Sequence, residues 1–275
     1  MATLKLGFVG TGAIATAIAT GLCSGCEKAI ASVVVSPRSA KNAEGLAAAF
    51  SAVSVAASNQ AVVDGCDIVF VCVLPAQLAA VLAELTFRAE QTLVSLVSTS
   101  TLAGLAEASK LAPAQVFKMI CLPPVATAQG TCLLTPKGRS PVLRALFDSL
   151  GGTVECESEA IMQALMVPTC MMGPFYAILA QNRDWLAAQG VPAEDASFFL
   201  GRTYLGLAQA AEANCKDPQH FTELVKENTP GGLNEQAISN LRTLGVQGAY
   251  GLAMDGALER LRGQGDGERK DTTKL

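Results

Sequence analysis

The sequence predicts two domains in tandem: an α/β domain built on a doubly wound parallel sheet, then an all-α domain. Three observations carry this. Short apolar or β-branched runs at residues 4–9, 32–35, 68–73, 93–97 and 115–119 alternate with alanine-rich stretches at 13–22, 40–50, 76–85 and 102–108. Strands about 20–30 residues apart with helices between them are the pattern of βαβ units. A glycine-rich hexamer follows the first run directly, and after Gly151-Gly152 the strand pattern stops.

Each element has its own warrant. The run Ile68-Val69-Phe70-Val71-Cys72-Val73 has no polar face, which suits a strand covered on both sides. Residues 158–262 are rich in alanine and leucine with few β-branched runs, so they read as helix throughout. Asp217-Pro218 predicts an N-cap followed by proline at the first helical position. Pro230-Gly231-Gly232 predicts a tight turn, and Gly245 and Gly263 predict helix ends. The expected domains are 1–155 and 156–262, with residues 263–275 a charged, disordered tail.

The chain has 275 residues, of which 50% are apolar and 16% charged. That is enough to bury a core without disulfide or metal staples. A net charge of −4 argues against nucleic acid or an anionic membrane surface as partner. There is one histidine, His220, so a multi-histidine metal site is excluded. Nine cysteines form no disulfide framework, and Cys66, Cys72, Cys121, Cys132 and Cys170 sit in apolar runs as small hydrophobes do. Cys23-Ser-Gly-Cys26 lacks the second ligand pair that zinc needs and reads as a helix end.

Two uncharged stretches imitate membrane segments. Residues 6–26 are broken by Gly7, Gly10 and Gly12. Residues 160–182 are interrupted by Pro168, Gly173 and Pro174 and read as helices buried in a domain or subunit interface. Met162, Met166, Met171 and Met172 fit as filler there, and Trp185 as packing. The chain ends Thr273-Lys274-Leu275, close to the peroxisomal Ser-Lys-Leu address, but threonine is a poor first residue and cytoplasm is the expectation.

The hexamer Gly10-Thr11-Gly12-Ala13-Ile14-Ala15 matches the dinucleotide fingerprint G-x-G-x-x-G/A in its required place, between a strand and a helix. Gly10 makes the turn, Gly12 lets a pyrophosphate approach the backbone, and Ala15 allows close helix–strand packing. The phosphates would sit on the helix N-terminus. At the end of the second strand, an NAD enzyme places an acid for the ribose hydroxyl. Here the strand runs into Ser36-Pro37-Arg38-Ser39. An arginine flanked by two serines suits a 2′-phosphate, so NADPH is the expected cofactor and NADH the second.

Carbonyl reduction needs a proton donor, commonly Lys, His or Tyr. Residues 160–182 hold no lysine or histidine, and Tyr176 is their one phenol. A protonated imine already carries its charge, so the pattern leans toward reduction of C=N. No catalytic residue is assigned. His220 reads as solvated, and Glu235 as a helix N-terminal charge.

In motif order the chain resembles the pyrroline-5-carboxylate reductases, the last enzymes of proline synthesis. The likeness runs through the fingerprint, Asn59 with Asp67, Val73-Leu74-Pro75, Gly173-Pro174-Phe175-Tyr176, Asp217-Pro218, His220-Phe221-Thr222-Glu223-Leu224 and Thr229-Pro230-Gly231-Gly232. The resemblance implies a Rossmann domain followed by a helical domain that interlocks two subunits. It implies a cofactor lined by Gly10, Thr11, Gly12, Ala13, Ile14, Ser36, Asn59, Val73, Leu74 and Ser98. Arg38 and Ser39 join that set from the strand-end reading above. Asp217, Thr229, Gly232, Leu233 and Asn234 would fall around a small imine substrate.

The departures cluster at the substrate. The family's Val-Lys-Pro is Val73-Leu74-Pro75 here, and Met-Pro-Asn-Thr-Pro is Ile120-Cys121-Leu122-Pro123-Pro124. Ser-Gly-Ser-Gly-Pro becomes Cys170-Met171-Met172-Gly173-Pro174, and Pro-Gly-Gly-Thr-Thr becomes Pro230-Gly231-Gly232-Leu233-Asn234. The expectation is an NADP-dependent reductase of a small cyclic imine, working as a homodimer or larger. Two other readings stand beside it: a nucleotide-binding sensor or oligomeric partner without turnover, and a hydroxyacid-type dehydrogenase, disfavoured by the missing lysine.

Overall fold

The computed structural model describes residues 3–26 and 29–268. The Thr273-Lys274-Leu275 end and most of the expected tail lie outside the described residues. Two compact units are present, Met1–Leu165 and Met166–Leu275.

In the first unit the chain runs β1 (Leu4–Val9), α1 (Ala13–Gly25), β2 (Ile30–Val35), α2 (Ala40–Ala49), β3 (Val53–Val55), α3 (Asn59–Gly65), β4 (Ile68–Val71), α4 (Leu78–Ala83), β5 (Thr92–Ser95), α5 (Leu102–Ser109), β6 (Val116–Ile120), β7 (Cys132–Thr135), α6 (Pro141–Asp148), β8 (Thr153–Glu155) and α7 (Glu159–Met166). The sheet order is β3-β2-β1-β4-β5-β6-β7-β8. Strands β1 to β6 are parallel, β7 runs antiparallel to β6, and β8 parallel to β7. After β3 the chain returns to place β4 against the other side of β1. That reversal makes the switch point where doubly wound sheets take their ligands.

The apolar strands are buried on both faces, as their composition requires. In β4, Ile68 and Phe70 point into one core with Leu6, Phe8, Ile18, Leu22 and Phe147; Phe8 and Phe70 stack with centroids 4.7 Å apart. Val69 and Val71 point into the opposite core with Val62, Val63, Leu82 and Leu105. The period of two divides consecutive residues between two layers of helices.

Three strands were invisible in the sequence. β3 and β8 are three residues long, and β7 is four. β8 follows Gly151 and Gly152, whose φ values of +121° and +142° turn the chain back to the sheet, so the strand pattern does not end at that pair. The unit continues past β8 through α7, because a buried cation reaches into it. Lys118 of β6 is 2% exposed, and its Nζ donates to the carbonyls of Ser98 and Ser100 and to Glu159 Oε1 at 3.1 Å. The same carboxylate oxygen accepts from Leu102 N at 3.2 Å. One ammonium thereby holds the loop after β5, and its carboxylate partner holds the starts of α5 and α7.

The second unit is helical: a 3-10 turn Val167–Met171, α8 (Met172–Ala188), α9 (Ala193–Glu212), α10 (His220–Lys226), α11 (Leu233–Thr243) and α12 (Val246–Leu261). Gly245 and Gly263 adopt φ of +74° and +68° just beyond α11 and α12, the left-handed exit that glycine permits. Asp217 does not cap α10. Its Oδ1 accepts from Gln219 N at 2.9 Å in a side-chain turn, and the helix begins at His220.

Among the described residues of this unit, Met166, Val167, Ala196, Leu200 and Gly256 are buried, while Phe198, Phe199, Leu207 and Trp185 are exposed. Trp185 therefore does not pack inside its own protomer. By length and composition Glu159–Ala188 could also cross a membrane, and only 17% of its most apolar window is buried within the described residues.

Lys118→Met should cost about 2–4 kcal/mol, because it leaves two carbonyls and a partly solvated carboxylate without their donor. Glu159→Gln keeps the acceptor oxygen and should cost under about 1.5 kcal/mol. Urea midpoints of the two variants check this ordering.

Candidate functional site

Every cofactor residue expected from sequence lies at the carboxyl edge of the parallel sheet or in the helix start just beyond it. Gly10 to Ile14 follow β1; Ser36, Arg38 and Ser39 follow β2; Val73 and Leu74 follow β4; Ser98 follows β5. Asn59 opens α3, which Ser58 caps by accepting from Ala61 N at 3.1 Å. Asn59, Val73 and Ser98 are half-buried, and Leu74 is exposed.

The β1 turn has room for no side chain at its first position. Gly10 adopts φ +94°, and a Cβ there would lie 2.6 Å from the carbonyl oxygen of Cys72. Burial pushes the Cys72 thiol well above its ordinary range, with Cys121 adding to the effect, so it stays protonated beside the turn. At Gly12 the situation is opposite: a Cβ would meet nothing within 4 Å. Helix α1 then begins with no side-chain cap and no acid in its first turn. Its leading amides and the positive end of its dipole are open to an anion.

Ser36 and Thr11 are corrected in role. Both are buried, with Ser36 fully enclosed. Gly10 N donates to Ser36 Oγ at 2.9 Å, Thr11 Oγ1 donates to the Ser36 carbonyl at 2.8 Å, and the two hydroxyls meet at 3.2 Å. Each hydroxyl spends its proton inside this loop, so neither is left to donate outward. The donors that remain at the end of β2 are Arg38, which is exposed, and Ser39, which is half-buried and makes no capping bond to α2.

The sequence reading missed two supports of this edge. Asn42 Nδ2 donates to the Thr11 carbonyl at 2.9 Å, tying α2 to the turn. No local pattern announces that contact. Lys118, which holds Ser98, did leave a signal: it is the one charge in the run Val116-Phe117-Lys118-Met119-Ile120.

The substrate residues expected from sequence belong to the second unit. Thr229-Pro230-Gly231-Gly232 is a hydrogen-bonded turn, with Gly232 N donating to Thr229 O at 2.8 Å and Gly231 at φ +69°. Proline second and a left-handed glycine third define a type II turn. Gly232 then becomes the N-cap of α11, which leaves Leu233 and Asn234 in its first turn, both exposed. Glu235 Oε2 accepts from Gly231 N at 2.6 Å, so this carboxylate braces the turn, as a helix N-terminal charge should. Asp217 stands apart, in the loop before α10. His220 is half-buried, with Nε2 2.9 Å from the carbonyl of Ala210, and serves as a tie between α10 and α9. Among the described residues, no cluster of His, Cys, Asp and Glu could hold a metal.

Two family models match the chain. One, described as NADP oxidoreductase coenzyme F420-dependent, covers residues 5–99; the other, pyrroline-5-carboxylate reductase dimerisation, covers residues 159–264. Pyrroline-5-carboxylate reductase 3 of Danio rerio is 27% identical over 278 residues, covering 98% of this chain and 94% of its own. The pyrroline-5-carboxylate reductase structure from Coxiella burnetii is similar with a TM-score of 0.81 at 19% identity, over 98% of this chain and 100% of that one. The Plasmodium falciparum pyrroline carboxylate reductase structure, with NADP bound, gives 0.77 at 19% identity, over 96% and 98%. The solved structures agree with the fold described above, the second family model falls on the helical unit, and the Danio rerio relative spans both units. Over nearly its whole length the chain is similar to pyrroline-5-carboxylate reductases, and residues 159–264 match the dimerisation domain of that family.

Proposed function

We propose that this protein is an NADP(H)-dependent reductase of the C=N bond of a small cyclic imine or imino acid, acting as a homodimer or larger oligomer. The observation that carries the reading is the uncapped start of α1 beneath the Gly10–Gly12 turn, with Arg38 in place of an acid at the end of β2. NADP bound to the Plasmodium falciparum relative supports the same cofactor.

In this reading, the Ala13 and Ile14 amides and the open space at Gly12 receive the pyrophosphate, and Arg38 and Ser39 hold the 2′-phosphate. Asn59, Val73, Leu74 and Ser98 line the remainder. The bound cofactor supplies the hydride. The protein's part is orientation at close range and exclusion of water. A protonated imine gains hydride to become a neutral amine, so the hydride step asks no proton of the chain. Thr229, Gly232, Leu233 and Asn234 would shape the substrate wall around the open first turn of α11, with Asp217 contributing from the loop before α10. The exposed apolar helices of the second unit match an interface with a second copy, which the dimerisation model also supports.

Three outcomes are expected. Arg38→Ala should weaken NADPH about 10- to 100-fold, the loss of a charge-assisted pair, while NADH affinity barely changes; fluorescence titration of each cofactor checks this. Sedimentation at micromolar concentration should show a dimer or larger species, and a monomer would contradict the interface. Pyrroline-5-carboxylate should be a poor substrate, below about 10⁴ M⁻¹s⁻¹ in kcat/KM. Leu233 removes a hydroxyl donor at the first turn of α11, and Asn234 substitutes an amide. A Leu233→Thr/Asn234→Thr variant should raise that value, and steady-state rates of both proteins decide it.

A further inference from the structure

Arg38 and Gln77 stand on opposite sides of the β1 turn. Arg38 follows β2, Gln77 closes the 3-10 turn Pro75–Gln77 that follows β4, and β1 lies between those two strands. With its carboxamide oxygen toward the guanidinium, Gln77 accepts from both Nη1 and Nη2 of Arg38, each at 3.1 Å. The contact joins the two loops that flank the glycine turn.

We propose that Gln77 is the positioning residue for Arg38 and thereby helps set the preference for a 2′-phosphorylated dinucleotide. The proposal rests on the assignment of Arg38 to that phosphate. An exposed arginine samples many rotamers and loses that freedom on binding. A second hydrogen-bonding partner across the turn restricts it beforehand. The direction of the contact matters too. One oxygen astride Nη1 and Nη2 takes the two inner hydrogens of the guanidinium. Nε–H and its neighbouring outer N–H remain parallel, and this pair is the fork that phosphate oxygens accept from two at a time. The partner is also neutral. A carboxamide orients the guanidinium without cancelling its charge, whereas a carboxylate at this position would form an ion pair and repel the incoming phosphate.

The test is calorimetric titration of the full-length oligomer with NADP⁺ and with NAD⁺, which needs no substrate. Gln77→Ala should weaken NADP⁺ about 3- to 10-fold, the range of one lost hydrogen-bonding partner, with NAD⁺ within about twofold. Gln77→Glu should weaken NADP⁺ further and again spare NAD⁺. In an Arg38→Ala background, Gln77→Ala should have no additional effect on NADP⁺, because the group it positions is gone. Equal losses for the two dinucleotides, tighter NADP⁺ binding by Gln77→Ala, or additivity in the Arg38→Ala background would each overturn the proposal. If Arg38→Ala alone leaves NADP⁺ binding unchanged, the assignment of Arg38 has failed. If Arg38→Ala weakens NADP⁺ and Gln77→Ala does not, the positioning role alone has failed. The ratio of the two affinities is the deciding readout, since a general loss of structure would lower both together.

Discussion

The close approach of the β1 turn to the end of β4 is the constraint on which the nucleotide edge depends. Gly10 has no space for a side chain against the Cys72 carbonyl, and its φ of +94° is left-handed. Its amide is received by Ser36 at the end of β2, and the Thr11 hydroxyl returns to the Ser36 carbonyl. Three adjacent strands are thus locked end to end by one turn. A methyl group at Gly10 would have to push β4 away or abandon the turn, and either change would disturb the start of α1. The same turn leaves Gly12 and the first amides of α1 facing open space. Tight packing on the inner side creates the free anion-receptive surface on the outer side.

A second joint organises the other half of that edge. Lys118 is buried in β6 with carbonyl oxygens and one carboxylate as its acceptors. A lysine at such depth is tolerable because its hydrogens are used and its charge is matched. Its targets are the Ser98 and Ser100 carbonyls of the loop after β5, and Ser100 is further tied to Ser95 and Val97. The loop is short and irregular; Val97 anchors it in the core, and the buried cation fixes the serine carbonyls that follow.

The helical unit is organised by a different principle. Its described helices bury few residues within the protomer and leave large aromatic side chains in the open. Long helices with uncovered apolar faces obtain their stability from association rather than from propensity. Local polar geometry is nonetheless well determined: the Thr229–Gly232 turn, the Glu235 brace and the Asp217 turn are each satisfied within the unit. The departures at Leu233 and Asn234 alter the side chains on this frame while leaving the frame intact.

The alternating pattern, the fingerprint glycines and the tight turn at Pro230-Gly231-Gly232 were legible in the amino-acid order, because each depends on residues close together along the chain. A strand buried on both faces must be apolar throughout, and a left-handed turn residue must be glycine. The order of letters also determined that no acid stands at the end of β2. What lay beyond it were contacts between distant segments. The inward turn of Ser36 and Thr11, the Asn42 tie, the Lys118 hub and the Gln77–Arg38 bridge all follow from strands β2, β1, β4, β5 and β6 being neighbours. β3, β7 and β8 are too short to carry a period of two, and their place at the two ends of the sheet came from pairing alone. The direction of a polar side chain is decided by which backbone groups the fold leaves unpaired nearby. That accounting closes once the strands are side by side.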